Sequence, residues 1–233
     1  MNKFDYRYIF GKRVFAVDSI SHLITCLGNY KGILIAMNAI KLMNEDEDLT
    51  FIINNNFSYS DGVGSVKALH KSGLNTIRVP GVELWIQLIN KYYKQKSIYL
   101  IGSTEVNILK AVNKLKHNYP DLNLCGFHHG YFNEDVEKKI IENIIKTKPD
   151  FVFVALGSPR QEYFMNHLLK YHKALYMGLG GSIDVYIGAV KRAPKLWIKF
   201  NLEWAYRLVK QPKRIFRQWV YFKFLYRLIT NKI

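Results

Sequence analysis

The chain has 233 residues, 49% of them hydrophobic, and a formal net charge of +16. That length suits one good-sized domain, or a domain with an appendage, and the apolar content excludes wholesale disorder. The opening residues, MNKFDYRYIFGKRVFAVD, hold no long apolar run, and no later stretch reaches the roughly 18 apolar residues of a membrane span, so a cytosolic protein is expected, free to sit on a membrane surface.

Residues 5–17 read as a hairpin-like piece, followed by Asp18 as the N-cap of a helix over 19–29. Runs rich in β-branched residues then recur at Ile33–Met37, Phe51–Ile53, Ser97–Ile101, Phe151–Leu156 and Ala174–Gly178. Helical periodicity separates them, over Val82–Gln95, Thr104–Tyr119 and most cleanly 133–148, where Val136, Ile140, Ile141, Ile144 and Ile145 share a face. Alternating strands and helices predict an α/β fold, Rossmann-like, with a mostly parallel sheet flanked by helices. Cys26 and Cys125 lie far apart without a CxxC pair and read as free thiols.

Charge concentrates at the end of the chain. Residues 191–233 hold twelve Lys/Arg, one acid and ten aromatics, so they carry +11 of the total. The composition shift predicts an α/β domain over 1–195 and a basic, helical, aromatic C-terminal appendage over 196–233. Ile215, Trp219, Phe222 and Ile229 share one helical face, with Arg214, Arg217 and Lys223 at its flanks. A basic amphipathic helix of that kind suits an anionic membrane surface. Docking on the core and nucleic-acid binding are the other readings, the latter without any accompanying motif.

In such folds ligands bind beyond the carboxyl ends of the strands. The loops expected there are glycine-rich: Gly102-Ser103-Thr104, Gly157-Ser158-Pro159 and Gly178-Leu179-Gly180-Gly181-Ser182. Asp61, held between Ser60 and Gly62, reads either as an N-cap or as a carboxylate that takes a proton from an attacking hydroxyl. Pro159-Arg160-Gln161-Glu162 opens a helix, whose first N–H groups and Arg160 would attract an anion such as a diphosphate, while Gln161 could bond sugar hydroxyls. The third glycine of a dinucleotide fingerprint would fall on Ile183, and no P-loop occurs, so no nicotinamide or other cofactor is expected. Glu45-Asp46-Glu47-Asp48 contains a DxD triplet but reads as a solvated acidic turn between a helix and a strand. The seven histidines show no ligand spacing, so no metal site is expected.

Taken in order, SDGVGSV (60–66), RVPGVEL (78–84), IYLIGS (98–103), GFHHGYF (126–132), PDFVFVALGSPRQE (149–162), GLGGSIDVYIGAVKRAP (178–194) and LEWAYRLVKQPKRIFRQ (202–218) resemble the WecG/TagA/CpsF family, glycosyltransferase family 26. The resemblance implies inverting transfer from a UDP-sugar to an undecaprenyl-diphosphate-linked saccharide, in cell-surface polysaccharide synthesis at the inner face of the cytoplasmic membrane. UDP-N-acetylmannosamine, its uronic acid and UDP-glucose are the donors it suggests. By motif, Asp61 matches the proposed catalytic base, and Arg78 and Gln161 match residues of the substrate pocket that complete the expected catalytic set. Expected substrate-binding positions are Asn38, Gly102, Ser103, Tyr131, Gly157, Pro159, Arg160, Glu162, Gly180, Gly181 and Asp184. Arg207, Arg214 and Arg217 fall in the basic appendage, which in the family reaches the membrane and can complete the site. One departure is clear: a threonine frequent in the family is Ala36 here, so a hydroxyl contact is lost while Asn38 remains.

Two other classes compete with this reading. A nicotinamide-dependent epimerase or dehydrogenase would need the absent fingerprint. A noncatalytic nucleic-acid- or membrane-binding protein would explain the tail but not the ordered glycine loops. A homo-oligomer is also open, since a basic aromatic tail could pack on a neighbouring copy.

Overall fold

The computed structural model describes residues 4–191, 193, 194, 196, 197, 206 and 218–230, the last segment without the side chain of Gln218. The expected hairpin is present as β1 (Tyr6–Ile9) and β2 (Lys12–Phe15), paired antiparallel. Next come α1 (Ile20–Leu27), β3 (Gly32–Met37), the one-turn α2 (Ala39–Leu42), α3 (Glu47–Asn54), β4 (Phe57–Ser60), α4 (Val63–Lys71) and α5 (Gly81–Tyr92). The second half continues through β5 (Ile98–Gly102), α6 (Glu105–Asn118), β6 (Leu124–His128), α7 (Glu134–Thr147), β7 (Phe151–Ala155), α8 (Arg160–Tyr171), β8 (Leu175–Gly178) and the short α9 (Ser182–Tyr186). A last described helix, α10, covers Gln218–Ile229.

The strands form a single sheet in the order β1-β2-β4-β3-β8-β7-β5-β6, parallel throughout except for β1. Its two faces make two cores. Leu34, Tyr59, Leu100 and Phe153 meet α1, α5, α6 and α9 on one side. Ile35, Met37, Ile101 and Val154 meet α2, α3, α4, α7, α8 and α10 on the other. Crossovers toward the β6 edge return over the first face through α1, α5 and α6, although α4, which precedes α5, packs on the second; those toward the β1 edge use the second face, so they share one hand. Neighbouring β5 and β7 therefore send the chain to opposite faces, as do β8 and β3. Crevices for a ligand open at such points.

Several local expectations need correction. Phe51–Ile53 is not a strand. It belongs to α3, where Leu49, Ile52 and Ile53 face the core at helical spacing while Phe51 is exposed. The acidic run starts that helix rather than closing one, because Asp46 is its N-cap and accepts the Leu49 N–H at 2.9 Å. The true strand is β4, whose polar sequence FSYS is buried throughout. Ser19, not Asp18, caps α1; the Asp18 carboxylate instead meets His22 Nδ1 at 3.2 Å.

Candidate active site

The carboxyl ends of β3 and β4 are tied together by backbone. The N–H groups of Asp61 and Gly62 both donate to the Met37 carbonyl, at 3.0 and 3.1 Å. Gly62, not Asp61, is the N-cap of α4. The Asp61 carboxylate points elsewhere: its Oδ1 accepts the N–H of Gly81, the first residue of α5, at 2.9 Å. A carboxylate at a helix N-terminus is favoured by the helix dipole and by the unpaired N–H groups there. Arg78 Nε donates to the Asp61 carbonyl at 2.8 Å, which brings a guanidinium beside the carboxylate's backbone. Asn38 caps α2 by accepting the Lys41 N–H at 3.0 Å, and a Cβ on Gly62 would lie 3.2 Å from its own Cβ. Asn38, Asp61 and Arg78 thus gather around one loop pair.

A second group forms where β5, β6 and β7 end. Gly102 has φ +128°, and a Cβ there would sit 2.4 Å from the Ala155 carbonyl oxygen, so only glycine fits. Ser103 follows in the left-handed region, donates its hydroxyl to Asp184 Oδ1 at 2.6 Å, and accepts the Gly130 N–H at 2.8 Å. Asn107 Nδ2 adds a second donor to the same Asp184 oxygen at 3.0 Å. Beyond Gly157, the Ser158–Pro159 peptide is cis. A side chain at Gly157, Gly180 or Gly181 would meet nothing within 4 Å, so backbone is open to a ligand at all three.

Buried polar side chains join the two groups. Glu162, 1% exposed, accepts from Lys41 Nζ at 2.7 Å and from Gln161 Nε2 at 3.0 Å through one carboxylate oxygen. Gln161 Oε1 in turn accepts the Gly180 N–H at 3.0 Å. Lys41, one helical turn beyond Asn38, is thereby linked to the glycine loop after β8. Gln161 and Glu162 lie inside the protein and bind protein groups. The N–H groups of Gln161, Glu162 and Tyr163 are also engaged, by the carbonyls of Gly157 and Pro159. The attraction for an anion expected at the start of α8 therefore falls to the exposed side chain of Arg160. Its guanidinium stands over the Phe132 ring at 5.2 Å, on the wall of an open groove of about 600 Å³ shared with His129, Tyr131, Asn133 and Val136.

The described end of the chain packs close by. On α10, Phe224 is buried beside Gly64, its ring atoms 3.0 and 3.2 Å from where a Gly64 Cβ would stand and Ala39 Cβ 3.3 Å from the same point, and its ring meets Phe10 at 5.9 Å. Lys223 pairs with Glu45 at 3.0 Å. The outer face shows Trp219, Phe222, Tyr226 and Ile229, each well exposed. No helix among the described residues is long and apolar enough to cross a membrane. Arg207, Arg214 and Arg217, as well as Ile215, lie outside the described residues.

Sequence reasoning passed over Lys41, Gly81, Asn107 and Gly130. Lys41 looks like any helical lysine, and only the fold brings it to Glu162. Gly81 stood in a quoted motif, but its N–H acquires meaning only once Asp61 is placed against it. Residues 8–233, nearly the whole chain, match the model of the Glycosyl transferase WecG/TagA/CpsF family.

Proposed function

The chain belongs to the WecG/TagA/CpsF family of glycosyltransferases, which act in cell-surface polysaccharide synthesis, and on that premise we propose that it moves a sugar from a UDP-sugar to an undecaprenyl-diphosphate-linked saccharide with inversion. The observation that carries the proposal is the seat of Asp61. Its carboxylate is fixed at the N-terminus of α5, beside Arg78, on the rim formed by the strand ends, where three glycines leave backbone open.

In this reading the acceptor hydroxyl attacks the anomeric carbon as the bond to UDP breaks. Asp61 takes the hydroxyl proton, and UDP leaves with its new charge met by positive groups. Arg160 is the described cation placed for that work beside the open groove, and stabilising charge where it develops is the largest lever available to such a site. Arg78 orients the Asp61 loop. Gln161 and Glu162 hold the Gly180 loop from within, and Ser103 and Asn107 hold Asp184 as an acceptor for sugar hydroxyls. Arg207, Arg214 and Arg217 would add positive charge from the tail.

The same proposal places the protein on the inner face of the cytoplasmic membrane. The outer face of α10 is aromatic and apolar, and the tail is basic, which suits an anionic lipid surface. The test of the chemistry is Asp61→Asn. Its amide oxygen can still accept from Gly81, so folding and UDP-sugar binding by calorimetry are expected to persist. Turnover is expected to fall by about 10²–10⁴-fold, the usual worth of a general base. Near-normal turnover with intact donor binding would remove Asp61 from that role.

A further inference from the structure

Tyr59 has a buried hydroxyl with no hydrogen-bond partner among the described residues. The residue is 0% exposed, on β4, two positions before Asp61, which follows the last residue of that strand. Leaving a buried polar group unsatisfied costs about 1–3 kcal/mol, so an orphan hydroxyl beside a reacting carboxylate asks for a reason. Gly81 locates it. A Cβ built on Gly81 would lie 3.1 Å from Tyr59 Oη, 3.9 Å from Asp61 Oδ1 and 4.0 Å from Ala36 Cβ. Ala36 is also the partner of Tyr59 across the β3–β4 register. The phenol, the carboxylate, a methyl group and a bare glycine thus surround one small niche.

We propose that Tyr59 is a positioning residue for Asp61, its O–H dipole directed across this niche at the carboxylate. The inference rests on the transferase reading for the purpose of that carboxylate, but not for the contact itself. Burial, and then the negative charge of Asp61, raise the phenol well above its ordinary pKa of 10.0, so it remains a donor across the working range. The small side chain at position 36 keeps the niche open, and the missing side chain of Gly81 does the same from the other side. Tyr59 touches no substrate. It holds the Asp61 side chain to one orientation, so that the oxygen facing the acceptor stays in place.

A donor to the charged form stabilises that form, so removing it raises the carboxyl pKa. Among the described residues, the other charged or titratable groups on the surrounding elements include Arg78 before α5, Glu83 and Lys91 on it, Asp18 after β2, Lys67, His70 and Lys71 on α4, and the Lys41–Glu162 pair. All are unchanged in Tyr59→Phe, which removes one oxygen and keeps the ring.

The experiment is carboxyl ¹³C NMR of the full-length protein with labelled aspartate, the Asp61 signal being identified by its loss in Asp61→Asn. In Tyr59→Phe the Asp61 titration midpoint is expected to rise by about half a pH unit or more. The acid limb of kcat/KM for sugar transfer should move up with it, while the donor KM stays the same. Ala36→Ser, placed in the Tyr59→Phe background, puts a hydroxyl into the niche and is expected to bring the midpoint back down. Replacing Tyr59 by 3-fluorotyrosine, a stronger donor of nearly the same size, should lower it and covers the case of a poorly folded Tyr59→Phe protein. An Asp61 midpoint indifferent to both changes would overturn the proposal. Absence of UDP release by the unaltered protein with every donor would instead sink the transferase reading, and the NMR comparison would still decide the Tyr59 contact.

Discussion

Replacing Lys41 by methionine tests whether the buried ion pair is the brace between the two halves of the site. Lys41 and Glu162 are 6% and 1% exposed and meet at 2.7 Å. The other Glu162 oxygen, Oε2, is buried without a partner among the described residues. Methionine fills nearly the same volume but leaves the carboxylate, among the described residues, with the Gln161 amide alone. Removing one partner of a buried pair costs about 3–5 kcal/mol, because the survivor is a charge without its counterpart. For a domain of this size each kcal/mol moves Tm by roughly 2–4 °C, so Lys41→Met should melt about 10 °C lower or more. Glu162→Gln in the same protein removes the stranded charge and keeps a group that can bond Gln161. The double variant should regain at least about 2 kcal/mol over Lys41→Met, a coupling typical of direct partners. Thermal melts followed by circular dichroism at neutral pH read both numbers. A loss under about 1 kcal/mol for Lys41→Met, with simple additivity in the double variant, would refute the reasoning.

Three further outcomes follow from the geometry. Gly102→Ala forces a Cβ to within 2.4 Å of the Ala155 carbonyl at φ +128°, and should cost about 3 kcal/mol or more, seen as a lowered melting temperature and a poor soluble yield. Asp150 accepts from the Ser97 N–H, the Ser97 hydroxyl and Lys96 Nζ, each at 3.1 Å. Burial is the largest single influence on its carboxyl and pushes it up, but the Ser97 and Lys96 contacts together hold it below the ordinary 3.8. Its stabilising share is therefore full above pH 3.8 and lost as pH falls through the lower folded value, so Asp150→Asn should differ most from the unaltered protein at neutral pH and converge with it in acid, in urea melts run from pH 7 to 2. A difference that stays constant across that range would exclude the linkage. Trp219→Ser with Phe222→Ser, on the exposed face of α10, should weaken sedimentation with anionic vesicles while leaving Tm unchanged, whereas Phe224→Ala, which empties a packed contact against Gly64 and Ala39, should lower Tm.

What the sequence revealed about the fold follows the strength of its periodic signals. β3, β5, β7 and β8 are buried, β-branched or aromatic runs, and α5, α6 and α7 carry clear apolar stripes. β4 was hidden because Ser58 and Ser60 are buried polar residues, so neither alternation nor hydrophobicity marks FSYS as a strand. α3 misled for the converse reason: three apolar residues in a row resembled a strand, and the Asp46 cap that starts a helix there was read as a turn. In the candidate site, the glycine-rich loops were legible because backbone needs select glycine visibly. The engagement of Gln161 and Glu162 with Gly180 and Lys41 was not, because those partners are 19 and 121 residues away in sequence and meet only through the sheet.

The central claim is sugar transfer, and acceptor-dependent UDP release tests it most directly. Purified protein would be given UDP-N-acetylmannosamine, its uronic acid and UDP-glucose in turn, with and without a polyprenyl-diphosphate-linked saccharide in detergent. The account predicts release with one of these donors that requires the acceptor and collapses in Asp61→Asn. No release with any donor, together with no UDP binding by calorimetry, would contradict it.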